Sequence, residues 1–349
     1  MTPPAADRGA ALVGDAPHSS TRRTLALVLA WVACWLVGTV VCAGEVVDVT
    51  GVSGEEPRYG AALVTVLLAV ALARRCGGLV WFWGLLAIAF VALVLVADQR
   101  WLDSSAALFV AVVGAVASVM LTRPAATYVR LFMEYGIAVL LAISAAFAVA
   151  GYGAELSSGR YYLLVVVLSV TGAMSLVWRL GTDFHRLARR GVLWCAAGAV
   201  VIFALLVYSR LLREYGSASI TGAERDLTDW IRDRLDGVPQ PVQVLVGFPA
   251  LLWGVRTRAQ RRQGWWMCAI GTFGTATVAT ALAAPRPDVA DAGRSLAYSA
   301  ALGLLVALLV LYAEATRARR RSAARGRRIR DDHPAAASLP EPGRTRPLS

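Results

Sequence analysis

The chain has 349 residues, of which 57% are hydrophobic, and its 35 basic and 23 acidic residues give a formal net charge of +12. A mean hydropathy of +0.58 is too apolar for a soluble chain, which must cover its surface with polar groups. Every one of the 35 basic residues is arginine and the sequence has neither Lys nor Asn, which excludes a P-loop lysine, a Schiff-base lysine and an N-glycosylation acceptor.

Taken in chain order, residues 1–23 form a polar segment read as a disordered cytoplasmic tail. Ten apolar blocks follow in a transmembrane domain over residues 24–313: Thr24 to Ala43, Gly60 to Ala73, Gly77 to Ala97, Ser105 to Leu121, Tyr135 to Gly151, Tyr161 to Trp178, Val192 to Tyr208, Val242 to Val255, Trp265 to Ala284 and Ser295 to Ala313. A bilayer core about 30 Å thick takes about 20 apolar residues as a helix, and only a helix satisfies its own backbone in lipid. The expected fold class is therefore an all-α polytopic bundle of about ten transmembrane helices. The first block follows Thr21-Arg22-Arg23 and ends on Val41-Cys42-Ala43, which looks like a signal peptide with its cleavage site. Its apolar run exceeds the roughly 7–15 residues of a signal peptide, so it is read as an uncleaved span. The second and eighth blocks are short and reach across only if flanking residues such as Tyr59, Arg74 and Arg256 snorkel.

Candidate functional residues are few, because ionisable groups deep in a bilayer are costly. Glu45, Asp48, Glu55 and Glu56 lie in the first outer connection, where a carboxylate would suit general-base chemistry on a lipid-linked substrate; ordinary solvated acids are the plainer reading. Asp98, Gln99 and Arg100 close the third block. Glu134 lies one helical turn after Arg130, a spacing that makes either an interfacial ion pair or a cation-coupling carboxylate. In the outer loop 209–241, Thr221 and Glu224 form a capping box. Leu227, Trp230, Ile231 and Leu235 then recur on one face, which predicts an interfacial helix over about 222–236 ended by Gly237 and Pro239. A connector that packs down its apolar side is the plainer reading of that helix; a lid over a substrate entrance or a docking surface for an envelope protein partner is the sharper one. In the ninth block Thr272, Thr275, Thr277 and Thr280 interleave with Gly271 and Gly274, which predicts close helix packing or a polar track for a solute.

Residues 314–349 carry the run ARRRSAARGRRIR in their first half and are read as a disordered basic cytoplasmic tail that contacts anionic lipid headgroups; no aromatic interleaving points to nucleic acid. The five cysteines fall in or beside apolar blocks with no CxxC spacing and are read as free, packed thiols. His18, His185 and His333 are far apart, so neither a metal site nor another cofactor is expected.

Arginine placement sets the orientation. With ten spans and both termini inside, the inner segments hold 25 arginines and 8 acids, the outer ones 10 arginines and 15 acids, as the positive-inside rule requires. Trp81, Trp83, Trp178, Trp194, Trp253, Trp265 and Trp266 fall near the inner boundary, whereas Trp31 and Trp35 do not fit that belt. The lysine-free, arginine-rich composition suggests GC-rich coding and hence the cytoplasmic (inner) membrane of a bacterium. A transporter or permease for a small molecule or lipid is the leading expectation, followed by an envelope-complex scaffold or assembly partner and then an enzyme acting on a lipid-linked substrate.

Overall fold

The computed structural model describes residues 18–47, 56–97, 99–154, 158–179, 236–259, 264–283 and 288–332, together with 226, 230, 232 and 234. Among these the secondary structure is helical, with no strand. The helices are α1 His18–Ala43, α2 Glu56–Arg75, α3 Val80–Ala97, α4 Arg100–Met120, α5 Tyr128–Gly151, α6 Ser158–Arg179, α7 Phe248–Arg258, α8 Gly264–Ala279 and α9 Val289–Asp332, with a π-turn at Gln243–Gly247 leading into α7. Seven of them, α1 to α6 and α9, are long and apolar enough to cross a membrane.

The seven match seven of the ten expected blocks. The seventh block, Val192 to Tyr208, lies outside the described residues. The eighth and ninth blocks form α7 and α8, of 11 and 16 residues, each shorter than a full span by itself.

Boundaries differ from the apolar blocks for physical reasons. The second block extends at both ends into a 20-residue α2, because Glu56 suits the first turn and Arg74 and Arg75 suit the last, where the helix dipole favours them. Helix α9 starts at Val289, because Asp288 Oδ1 accepts from the amides of Ala290 at 2.9 Å and Asp291 at 3.1 Å, a side-chain N-cap. At its other end α9 runs past Ala313 to Asp332, where a disordered tail was expected. The stretch is rich in Ala and Arg, which are strong helix formers, so no breaker ends the span there.

The spine of the bundle is α8. Fourteen of its 16 residues are buried, and it packs against α4, α5, α6 and α7. Small residues make this possible. A Cβ built on Gly274 would lie 2.9 Å from Gly247 Cα, one on Gly271 2.8 Å from Leu251 Cα, and one on Gly254 2.6 Å from the Cys268 nitrogen. Helices α7 and α8 therefore touch backbone to backbone, the packing that small residues allow between membrane helices. Gly114 of α4 receives the side chain of Ala145 of α5, whose Cβ leaves no room for a Cβ on Gly114.

Helices α1 and α3 form the periphery, with Leu25, Leu29, Val37, Leu85, Ile88 and Leu93 exposed. Trp31 and Trp35, the pair outside the aromatic belt, stack at 6.2 Å. They fasten α1 inward, with Trp31 Nε1 donating to the Leu67 carbonyl at 3.4 Å and Trp35 Nε1 to Ser144 Oγ at 3.0 Å.

Candidate functional site

Polar side chains gather at three levels of the bundle. At the first, near the start of α2 and α4, Arg58 Nη2 donates to Asp103 Oδ1 at 2.8 Å and to the Val94 carbonyl at 2.9 Å. The two side chains are only 12% and 16% exposed, so three helices are tied by a nearly enclosed ion pair. In the same half of the bundle, the hydroxyls of Thr65 and Tyr152 are 2.9 Å apart and Tyr161 donates to the Ala107 carbonyl at 3.0 Å. Neither Arg58 nor Asp103 was singled out by hydropathy, because each falls just outside an apolar block. The available signal was helical continuation: once α2 begins at Glu56 and α4 at Arg100, both charges sit in first turns.

At the second level, inside the bundle, Gln243 Nε2 donates to Thr277 Oγ1 at 2.7 Å, and Thr277 donates on to the Gly274 carbonyl at 2.7 Å. Thr275 Oγ1 lies 2.9 Å from the Ala115 carbonyl. Gln243, Thr272, Thr275 and Thr277 are all buried. Two acceptor atoms there, Gln243 Oε1 and Thr272 Oγ1, have no hydrogen-bond partner among the described residues. The layer exists because the helix is irregular at this point. Pro249 has no N–H and its ring crowds the carbonyl four residues back, and just before it the Phe248 amide bonds to the Gln243 carbonyl, the five-residue step of a π-turn. Pro249 inside an apolar block was the sequence signal for this break.

The third level is the arginine-rich end. Glu134 Oε2 accepts from the Arg123 amide at 2.7 Å, while Arg130 is exposed and its amide is capped by Thr127 Oγ1 at 3.4 Å. Arg256 donates to the carbonyls of Ala125 and Ala126 and lies 5.2 Å over the Tyr128 ring. Trp253 Nε1 donates to Glu314 Oε2 at 2.8 Å.

The candidates read from the sequence thus fall at separate levels. Thr272 and Thr275 share the inner layer with Gln243; Glu134 and Arg130 lie at the arginine-rich end; Arg100 opens α4 at the opposite end, and Asp98 lies outside the described residues. Of the outer acids, Glu45 and Glu56 are exposed, while Asp48 and Glu55 lie outside the described residues.

The predicted outer helix lies largely outside them too. Residues 226, 230, 232 and 234 are helical, and the Asp236 amide bonds to the Arg232 carbonyl at 2.8 Å with Asp236 at a φ of 51°. The segment that follows is fixed to α9, with the Gln240 amide donating to Ser299 Oγ at 2.8 Å and Ser295 Oγ to the Val238 carbonyl. Cys34, Cys42, Cys76 and Cys268 are free, and burial pushes the Cys76 thiol, in the turn after α2, above its ordinary range, so it stays protonated and a poor nucleophile. Comparison of the chain with protein-family models, with curated proteins and with solved structures gives no match.

Proposed function

We propose that the chain is a multi-pass transporter or permease for a small molecule or a lipid, with ten spans and both termini in the cytoplasm of a bacterial inner membrane. The observation that carries this reading is the interrupted helix. The π-turn at Gln243–Gly247 puts an amide with a free acceptor oxygen beside the hydroxyls of α8, and transporters place their binding groups where membrane helices break. The glycine seam supports it, since two backbones in contact without interlocked side chains can shift relative to each other. In this reading α7 with its π-turn is the eighth span and α8 the ninth.

Orientation follows the arginines. Arg75, Arg123, Arg256 and Arg258 gather at one end of the helices, which this reading places in the cytoplasm. The basic run after Ala313 would then meet anionic lipid headgroups. A scaffold or assembly partner of an envelope complex, docking through the outer loop, is the second reading. It is favoured by the complete burial of Thr272 and Thr275, which closes these two hydroxyls to solvent in this conformation.

Side-chain accessibility separates the two without knowledge of a substrate. In a cysteine-free background, Gln243→Cys and Thr277→Cys are exposed to a membrane-impermeant thiol reagent in right-side-out and inverted vesicles. A transporter that alternates access labels from both sides. Protection from both sides under all conditions would reject transport in favour of the scaffold.

A further inference from the structure

At the arginine-rich end one guanidinium is held in an unusual way. Arg258 is 8% exposed. Its Nη2 donates to Thr122 Oγ1 at 2.5 Å, while Nε and Nη1 are closed to solvent and have no hydrogen-bond partner among the described residues. Its stem is pinned, because a Cβ on Gly264 would meet Arg258 Cγ at 2.8 Å. The face of Trp265 covers the guanidinium, 4.1 Å from ring centroid to Cζ.

A second cation stands on the same ring. Arg75 Cζ lies 5.7 Å from the Trp265 centroid, and its Nε donates to the Met120 carbonyl at 2.9 Å. Two like charges therefore share one indole. Of the carboxylates among the described residues, Glu134 is the one whose charge bears on Arg258, and that carboxylate is already engaged by the Arg123 amide. A buried charge is ordinarily paired and hydrogen-bonded, and removing one partner of a buried pair is costly. Among the described residues no carboxylate is hydrogen-bonded to the Arg258 guanidinium, and the aromatic face supplies only a cation–π contact.

We propose that Arg258 and Arg75 form a binding site for a phosphate-bearing anion, with Trp265 as the lid that swings off Arg258 to admit it. Arginine suits this chemistry, since its planar fork takes two phosphate oxygens at once. The site lies at the membrane interface, where the phosphate can belong to a lipid headgroup or to a soluble solute. It does not depend on the transport reading, because it lies at a different level from Gln243.

The test uses the full chain in two arms. In detergent, inorganic phosphate is titrated against the intrinsic tryptophan emission; in phosphatidylcholine nanodiscs, phosphatidylglycerol is introduced and the melting temperature is followed. Phosphate binding in the first arm identifies a soluble ligand; stabilisation in the second arm alone identifies a headgroup. In whichever arm responds, Arg258→Gln and Arg75→Gln should each weaken binding about tenfold, the worth of one charge-assisted hydrogen bond. Trp265→Phe should abolish most of the emission change. Arg130→Gln, an exposed arginine outside the cluster, should bind as the parent does. Should Arg258→Gln fail to fold, Arg75→Gln carries the test, because that side chain is at the surface. No response of the parent in either arm, or an equal loss in Arg130→Gln, would overturn the proposal.

Discussion

Helices α8 and α3 are both strongly apolar, yet they are built for opposite surroundings. In α8 all but two residues are buried and glycines face glycines; in α3 only Gly84, Ala87, Val91 and Val94 are buried and large side chains such as Leu85, Ile88 and Leu93 point outward. The difference teaches that hydropathy reports residence in the membrane, whereas residue size reports where in the bundle a helix sits. Lipid is as apolar as leucine, so no hydrophobic gain draws α8 inward. Close backbone packing and a few internal hydrogen bonds hold it there.

The sharpest way to break this contrast is to give the seam side chains. Gly274→Leu inserts a side chain where even a Cβ would stand 2.9 Å from Gly247 Cα, and it should cost about 3 kcal/mol or more by forcing α7 and α8 apart. In fluorescence-detected size-exclusion chromatography the variant should lose its monodisperse peak. The converse change on α3, Ile88→Val, removes a methylene from a half-exposed residue and should leave the peak in place.

The ion pair gives a smaller effect. Arg58→Ala or Asp103→Ala breaks this nearly enclosed ion pair, which should lower stability by about 2–3 kcal/mol, toward the lower end for buried pairs because both groups keep some exposure. The double variant should recover part of that loss in a thermal unfolding cycle. Additive losses would show that the two groups act independently.

Smaller still is the hydrogen bond between Gln243 and Thr277. Thr277→Val keeps the shape and removes the acceptor, and bonds of this kind between membrane helices are worth about 0.6 kcal/mol on average. A fall in melting temperature of at most a few degrees is expected.

How far the sequence shows these features depends on what each one requires. The first six spans and the last are legible as apolar blocks, because the bilayer imposes their length. Their ends are less so: Arg58 and Asp103 are polar enough to be read as loop, although the first turn of a helix accommodates them. The threonines of α8 were visible as a group, but Gln243, the partner of Thr277, comes from the π-turn before α7, and no periodicity within one helix reveals a contact between two. Trp31 and Trp35 departed from the aromatic belt because each finds its hydrogen-bond acceptor inside the bundle rather than at the interface. The continuation of α9 to Asp332 was hidden by charge, which argues for solvent but not against a helix.

The central claim is the proposed topology, in which α7 with its π-turn and α8 cross the membrane as a pair. A reporter fused after Gln260, in the connection between them, tests this most directly, with fusions after Arg75 and Ala324 as references. All three should report the cytoplasm. An outer-side signal at Gln260, with the two references still inside, would contradict the claim.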